Sequence, residues 1–241
     1  VLNVSDPVAP VEVGFVDTPA YAQDVAVAGG YAYVADDTEG LRVIDISTPS
    51  APVEVGFIDP PGIAQGVTVS GHYAYLANAA TGLRIIDVST PSAPVEVGWI
   101  RPPGSAYDVA VSGRYAYLAN TLSGLRIIDV SNPSDPVEVG FWDTTGPAEA
   151  WGVAVAHGYA YLAETDPAAN NAYLRVIDVR TPSAPEEVGH SNLIWAAAVA
   201  VSEGHVFVTR WESGISVFAE CGEGLDQDGR ECFIPAAAVA A

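Results

Sequence analysis

The sequence predicts an all-β fold, a five-bladed β-propeller of four-stranded antiparallel blades whose ring is closed by strands from both termini. Three observations predict it. The 241-residue chain repeats itself at a spacing of 42 residues. Each repeat carries four short runs of Val, Ile, Leu, Tyr and Ala, bounded by Gly or by Pro-Ser clusters. No run shows the periodicity of an amphipathic helix. Four short strands in about 42 residues is the period of a propeller blade.

Each element follows in order around one repeat, with strands lettered A to D from the axis outward. Strand A is Asp24-Val25-Ala26-Val27, recurring from Gly66, Asp108, Gly152 and Ala198. Strand B is Tyr31-Ala32-Tyr33-Val34-Ala35, recurring from Tyr73, Tyr115 and Tyr159 and decaying to His205-Val206-Phe207-Val208-Thr209. Gly29-Gly30, Ser70-Gly71, Ser112-Gly113, His157-Gly158 and Glu203-Gly204 are the tight links between A and B. Strand C is Leu41-Arg42-Val43-Ile44-Asp45, recurring from Leu83, Leu125 and Leu174 and decaying to Ile215-Ser216-Val217-Phe218. The Ser-Thr-Pro-Ser-Ala-Pro stretch that follows cannot continue a ladder, because proline has no N–H to donate, so it is a turn. Strand D begins Pro10-Val11-Glu12-Val13-Gly14-Phe15 and returns at Pro52, Pro94, Pro136 and Pro185, at spacings of 42, 42, 42 and 49 residues.

Full blades are expected at residues 20–59, 62–101, 105–143 and 149–190, followed by A, B and C of a fifth ending near Ala219. Before them stand one D strand, Val11–Val16, and a C-type fragment, Val1–Ser5, aligned with Val43–Ser47. That makes one strand more than five blades of four need. Val11–Val16 is expected to complete the fifth blade by pairing with residues 214–219. Val1–Ser5 and Ile215–Ala219 then compete for one slot. The loser is frayed, paired with a neighbouring subunit, or part of an incomplete sixth blade.

The blocks Leu-Arg-Ile-Ile-Asp-Val-Ser (from Leu83 and Leu125) and Asp-Val-Ala-Val-Ser-Gly-x-Tyr-Ala-Tyr-Leu-Ala-Asn (from Asp108) resemble the LVIVD repeat, a propeller repeat of bacterial and archaeal surface proteins. The resemblance covers residues 1–219 and leaves residues 220–241 as a short acidic and Ala-rich tail. It implies a propeller and an exported, extracellular or cell-surface location. It implies no catalytic residue.

Composition narrows the function classes. Thirty acidic residues against nine arginines, with no lysine, give a net charge of -21. Nucleic acids and anionic membrane surfaces are excluded as partners, since phosphate binding needs a basic footprint. No apolar run is long enough for a transmembrane segment. The absence of Met points to a processed chain, in keeping with export. Cys221 and Cys232, ten residues apart, are expected to form a disulfide that staples the tail.

Candidate functional residues lie where the repeat varies. Gln23, Gln65, Tyr107 and Trp151 stand just before or within strand A, with Trp195 nearby. Asp36, Asn78, Asn120, Glu164 and Arg210 end strand B. Together they are expected to form a polar and aromatic channel mouth able to hold a glycan or a peptide. The insertion Glu164–Ala172 breaks the fourth blade. No resident cofactor is expected. Calcium is the one candidate metal, at Asp226, Asp228 and Glu231 of the tail, with a thinner hint at Asp36, Asp37 and Glu39. His72, His157, His190 and His205 are scattered over different blades, and no catalytic motif is present, so no enzyme activity is expected. Asp45, Asp87, Asp129 and Asp178 recur before the turn and are expected to cap it. Arg42, Arg84, Arg126 and Arg175 recur beside the Glu of strand D and are expected to pair with it.

The expected role is a non-enzymatic extracellular or cell-surface structural and interaction protein that forms homo-oligomers or filaments. Its expected contacts are the terminal segments, Val1, Leu2 and Val4 at one end and Phe233 and Ile234 at the other. The alternatives are a propeller that binds a glycan or peptide at the channel mouth, and a propeller enzyme of unknown reaction.

Overall fold

The structure is a computed structural model that describes residues 1–144, 146–168, 171–193, 195–210 and 214–219. The described residues form strands and turns with no helix. The protein is an all-β, five-bladed β-propeller. Blade one is β3 (Asp24–Ala28), β4 (Tyr31–Ala35), β5 (Leu41–Asp45) and β6 (Val53–Ile58). Blade two is β7 (Gly66–Ser70), β8 (Tyr73–Ala77), β9 (Leu83–Asp87) and β10 (Val95–Ile100). Blade three is β11 (Asp108–Ser112), β12 (Tyr115–Ala119), β13 (Leu125–Asp129) and β14 (Val137–Trp142). Blade four is β15 (Glu149–Ala156), β16 (Tyr159–Asp166), β17 (Asn171–Asp178) and β18 (Glu186–Leu193). Blade five has three described strands, β19 (Val199–Ser202), β20 (His205–Arg210) and β21 (Gly214–Ala219).

The A–B links turn in two ways. Both central residues have positive φ at Gly29-Gly30, His157-Gly158 and Glu203-Gly204, whereas only Gly71 and Gly113 do in blades two and three. Either choice matches the right-handed strand twist. In those two blades the turn is one residue later than the sequence suggested: Ser70 and Ser112 end their strands, and Gly71-His72 and Gly113-Arg114 turn.

Blades pack face to face through a repeated interface. Tyr33, Ala35, Leu41 and Val43 of blade one meet Ala64, Val67, Leu76, Ile86 and Val88 of blade two. The same positions recur between blades two and three and between three and four, and a shorter version joins four to five. Outside this core, the strand D glycine of one blade seats on the Pro-Ser turn of the next. A Cβ at Gly56, Gly98 or Gly140 would collide with the carbonyl oxygen of Pro91, Pro133 or Pro182. The repeated glycine is therefore required by a close approach of two backbones.

The chain ends differ from expectation. The N-terminal D strand does not pair with residues 214–219. β1 (Leu2–Asn3) pairs with β2 (Val11–Glu12), Leu2 opposite Glu12 and Asn3 opposite Val11. This is the C–D register of the full blades, where Ile44 faces Glu54 and Asp45 faces Val53. The Ser5 N–H donates to Asn3 Oδ1, as the Ser47 N–H does to Asp45 Oδ1. A Cβ at Gly14 would strike the Pro49 carbonyl oxygen of blade one, just as at Gly56 one blade on. β1 and β2 thus form a C–D type hairpin seated against blade one as the outer strands of one full blade seat against the next. A hairpin joined by a short turn closes at a smaller entropic cost than a pairing between the two ends of the chain. Val1, Leu2 and Val4 therefore belong to a paired hairpin rather than a loose terminus. Cys221, Cys232, Asp226, Asp228, Glu231, Phe233 and Ile234 lie outside the described residues.

The interface between blade five and blade one is not formed like the other four. Val25 is 56% exposed, whereas its counterparts Val67, Val109 and Val153 are buried. Ile215 is 61% and Val217 54% exposed, whereas Leu41 and Val43 are fully buried.

Candidate functional site: the central channel

The A strands of all five blades surround a central channel of about 620 Å³. Strand A alternates, so every second side chain points into a blade interface and the strand start and backbone face the axis. Of the residues expected at the channel mouth, Gln23, Gln65, Tyr107 and Trp151 line it. Tyr107 and Trp151, on adjacent blades, meet edge to face with ring centroids 4.5 Å apart at 70°. Trp195 has a positive φ of 55° and sits just outside, where it lines a second cavity of about 60 Å³ with Trp151, Glu149, Thr165 and Pro167.

Two carboxylates that the sequence reading left aside also line the channel. Asp24 and Asp108 begin strand A in blades one and three, and glycine holds that position in blades two and four. Each spans an interface: Asp24 Oδ2 accepts the Val67 N–H at 2.8 Å, and Asp108 Oδ2 accepts the Val153 N–H at 2.8 Å. Burial pushes the Asp108 carboxyl up to about 6, opposed by the Val153 N–H and reinforced by the charge of Asp24. The alternation Asp24, Gly66, Asp108, Gly152 was visible in the sequence and is the signal that could have found them.

The residues ending strand B are not at the mouth. Asp36, Asn78, Asn120 and Glu164 are buried and hold loops together. Asp36 accepts from the Thr18 hydroxyl at 2.6 Å and the Ala20 N–H at 3.1 Å. Asn78 Nδ2 donates to the Pro61 carbonyl at 3.0 Å, and Asn120 Nδ2 donates to that of Pro103. Glu164 Oε2 accepts from Arg175 Nε at 2.9 Å. Arg210 ends β20 half-buried and does not line the channel. Polar side chains enclosed in this way are hydrogen-bonded to the neighbouring loops and strands. The acidic run also has internal use, since Arg42 Nη2 donates to Glu39 at 2.7 Å.

The repeated Asp and Arg behave as expected, with one difference. Asp45, Asp87, Asp129 and Asp178 accept the N–H of Ser47, Ser89, Ser131 and Arg180 at 2.8 to 3.0 Å. Hydrogen bonds to the Ser47 and Ser89 side chains hold Asp45 and Asp87 below the usual carboxylate range. Arg114 does the same for Asp129, and Arg180 for Asp178. Arg42, Arg84, Arg126 and Arg175 pair with Glu54, Glu96, Glu138 and Glu187 at 3.1 to 3.7 Å. The difference is burial: these arginines lie inside the blade edge, each capped by an aromatic ring such as Phe57, Trp99, Phe141 or Tyr173. The histidines stay apart, and His190 rests against Glu187 at 2.8 Å.

Channel, blade interfaces and repeated Arg–Glu pairs define a β-propeller built from one repeating unit. The LVIVD repeat model matches residues 19–59, 61–100, 103–144 and 147–192, and the chain belongs to the LVIVD-repeat family. Among curated proteins none matches. Among solved structures it is similar to the computationally designed Ika8 protein, with a TM-score of 0.64 and 9% identity over 89% of this chain. It is also similar to the Cps50 (Swd1) β-propeller domain of Myceliophteria thermophila, with a TM-score of 0.64 and 11% identity over 85% of this chain. The chain spans 64% of the first protein and 67% of the second. At these identities the likeness is one of fold.

Proposed function

We propose that this protein is a non-enzymatic structural and interaction protein of the cell exterior that assembles with copies of itself through the faces at its two ends. One observation carries the reading: among the described residues two apolar blade faces are exposed, Val25 and Val27 on blade one and Ile215 and Val217 on blade five. Apolar surface on paired, rigid strands favours burial against a partner. The charge of -21 opposes close approach, so added salt should favour assembly. Light scattering at rising concentration in low salt, high salt and calcium tests this. Growth of the particle with concentration and salt is expected. A particle of constant monomer size in all three conditions overturns it.

A second reading is favoured by the Tyr107–Trp151 pair in the channel: capture of a glycan or a peptide side chain against an aromatic wall. Tryptophan fluorescence titrated with oligosaccharides and short peptides tests it. Saturable quenching lost in Trp151→Ala supports this reading, and a flat response to every probe removes it.

A further inference from the structure

We infer that the central channel binds an alkylammonium group, with Asp24 and Asp108 as its counter-charges and Tyr107 and Trp151 as its aromatic wall. This deepens the channel reading above, on which it rests, by naming the chemistry of the ligand.

One position of strand A holds Asp24, Gly66, Asp108 and Gly152 in blades one to four. The glycines are tightly covered. A Cβ at Gly66 would lie 2.7 Å from the Tyr107 carbonyl oxygen, and one at Gly152 would lie 2.6 Å from that of Ala197. Blade two thus closes on blade three, and blade four on blade five, without a carboxylate there. Blade packing does not require the two Asp, and keeping them is costly. Burial disfavours the charge of Asp108, and Asp24 adds like-charge repulsion. Both carboxylates converge on blade two. Asp24 Oδ2 accepts the Val67 N–H at 2.8 Å, and Asp108 Oδ1 lies 3.1 Å from where a Cβ on Gly66 would stand. Backbone groups fix both in place: Asp24 accepts from Val25 and Val67, and Asp108 from Val109 and Val153, at 2.7 to 2.8 Å. An ionised carboxylate offers about four acceptor sites, so roughly half stay open to a donor in the channel. No cation of the protein takes them up. Among the described residues no Arg lines the channel, and the chain has no Lys.

The aromatic wall points to the same ligand. Tyr107 and Trp151 stand where blades one and two have Gln23 and Gln65, and both are half-buried in the channel lining. A partly open Trp face near carboxylates attracts an organic cation through the ring quadrupole and covers its alkyl stem. An anion is repelled by the same lining, and a neutral sugar leaves its charges uncompensated. The channel, at about 620 Å³, has room for an alkyl chain. The charge of -21 draws cations toward its mouth.

Calorimetric titration at fixed ionic strength tests the assignment, with butylamine, the tripeptide Gly-Lys-Gly and its neutral analogue Gly-Gln-Gly as probes. Butylamine represents a free amine and Gly-Lys-Gly the lysine side chain of a peptide; saturable binding of either supports the inference and tells the two sources apart. Asp24→Asn and Asp108→Asn, each shown to be folded by its thermal melt, should weaken that binding about tenfold or more. Trp151→Ala should weaken it about threefold or more. Asp135→Asn removes an exposed charge that does not line the channel and should leave it unchanged. Among the described residues the titratable groups lining the channel are Asp24, Tyr107 and Asp108. Binding should weaken from about pH 8 to about pH 5, as Asp108 takes up a proton while the amine stays charged. Equal binding of the Lys and Gln tripeptides, or wild-type affinity in both Asp variants, overturns the assignment. Amines that fail to bind, where an oligosaccharide or neutral peptide binds through Trp151, overturn it and leave the channel reading standing. No binding by any probe overturns both.

Discussion

Arg175 offers the sharpest test of how the blades are held. Its Nε donates to Glu164 at 2.9 Å and its Nη1 to Glu187 at 3.1 Å, and its guanidinium stacks on Tyr173 at 4.3 Å. Glu164 is fully buried, whereas Glu187 keeps some contact with solvent. Arg175→Met keeps the apolar stem and removes the charge. The buried Glu164 is then left without its partner, which costs about 3–5 kcal/mol when one member of a buried pair is removed. For a chain of this size the midpoint should fall by roughly 6–20 °C.

The pH dependence separates this cause from lost packing. Burial already raises the Glu164 carboxyl, and Arg175 is the main force pulling it down. Without Arg175 the folded-state pKa rises further above the unfolded value. A group shifted in that direction contributes stability below its unfolded pKa, near 4.3, and loses it as pH rises through the folded value. The deficit of Arg175→Met should therefore be smallest near pH 4 and largest at pH 7. Arg175→Met with Glu164→Met replaces the pair by apolar groups and should recover most of the loss. Thermal melts of both variants at several pH values decide the matter. A loss below about 1 kcal/mol at pH 7, as for an exposed pair, or one that does not change with pH, refutes the reasoning.

Three further outcomes are expected. Gly98→Ala drives a Cβ into the Pro133 carbonyl of the next blade and should cost about 1–3 kcal/mol, whereas Gly189→Ala, with open space around it, should stay within about 0.5 kcal/mol; denaturant midpoints compare them. Stability should fall below about pH 4 as Asp45, Asp87, Asp129 and Asp178, all depressed in the folded state, take up protons, and it should also decline as pH rises from about 4 to about 6 while Asp108 ionises; Asp108→Asn should reduce that upper slope in thermal melts. Amide exchange should be slowest in β8, β9, β12 and β13 and fastest in β2 and β21, whereas uniform protection would mean that the end faces are covered.

The repeat made most of the fold legible. Near-identical copies of Tyr-Ala-Tyr-Leu-Ala and Leu-Arg-Ile-Ile-Asp fix the strand types, the Pro-Ser turn fixes where each ladder stops, and the recurring Arg and Glu fix the C–D register. Partner choice was not legible at the ends. Val1–Ser5 and Ile215–Ala219 both read as strand C, and Val11–Val16 can accept either in one register, so sequence similarity leaves them equal. Loop closure decides between them within one chain, and no residue advertises that cost. The strand B ends misled for a related reason. Asp36, Asn78, Asn120 and Glu164 vary from blade to blade as ligand contacts do. Each in fact answers a different local need: a Thr18 hydroxyl, a Pro61 or Pro103 carbonyl, or the Arg175 guanidinium. Variation there follows the entering loop, and only the three-dimensional arrangement shows which loop that is.

The described residues place a pair of outer strands before blade one and three inner strands after blade four. Here the first hairpin carries the outer strands, which set the rim through Gly14 and the Pro49 turn. The last described strands are inner ones, which set the channel and the apolar face. In a structure where each blade contacts only its neighbours, stability accumulates interface by interface. Among the described residues four such interfaces are formed, and one face of blade one and one face of blade five stay exposed. The buried arginines stiffen each full blade from within, because a guanidinium held by Glu and an aromatic ring fixes strand C against strand D. Ser216 stands in that position on β21. Strand C of blade five therefore lacks the charge lock of the other four blades, so its register rests on backbone pairing with β20 and on apolar packing alone.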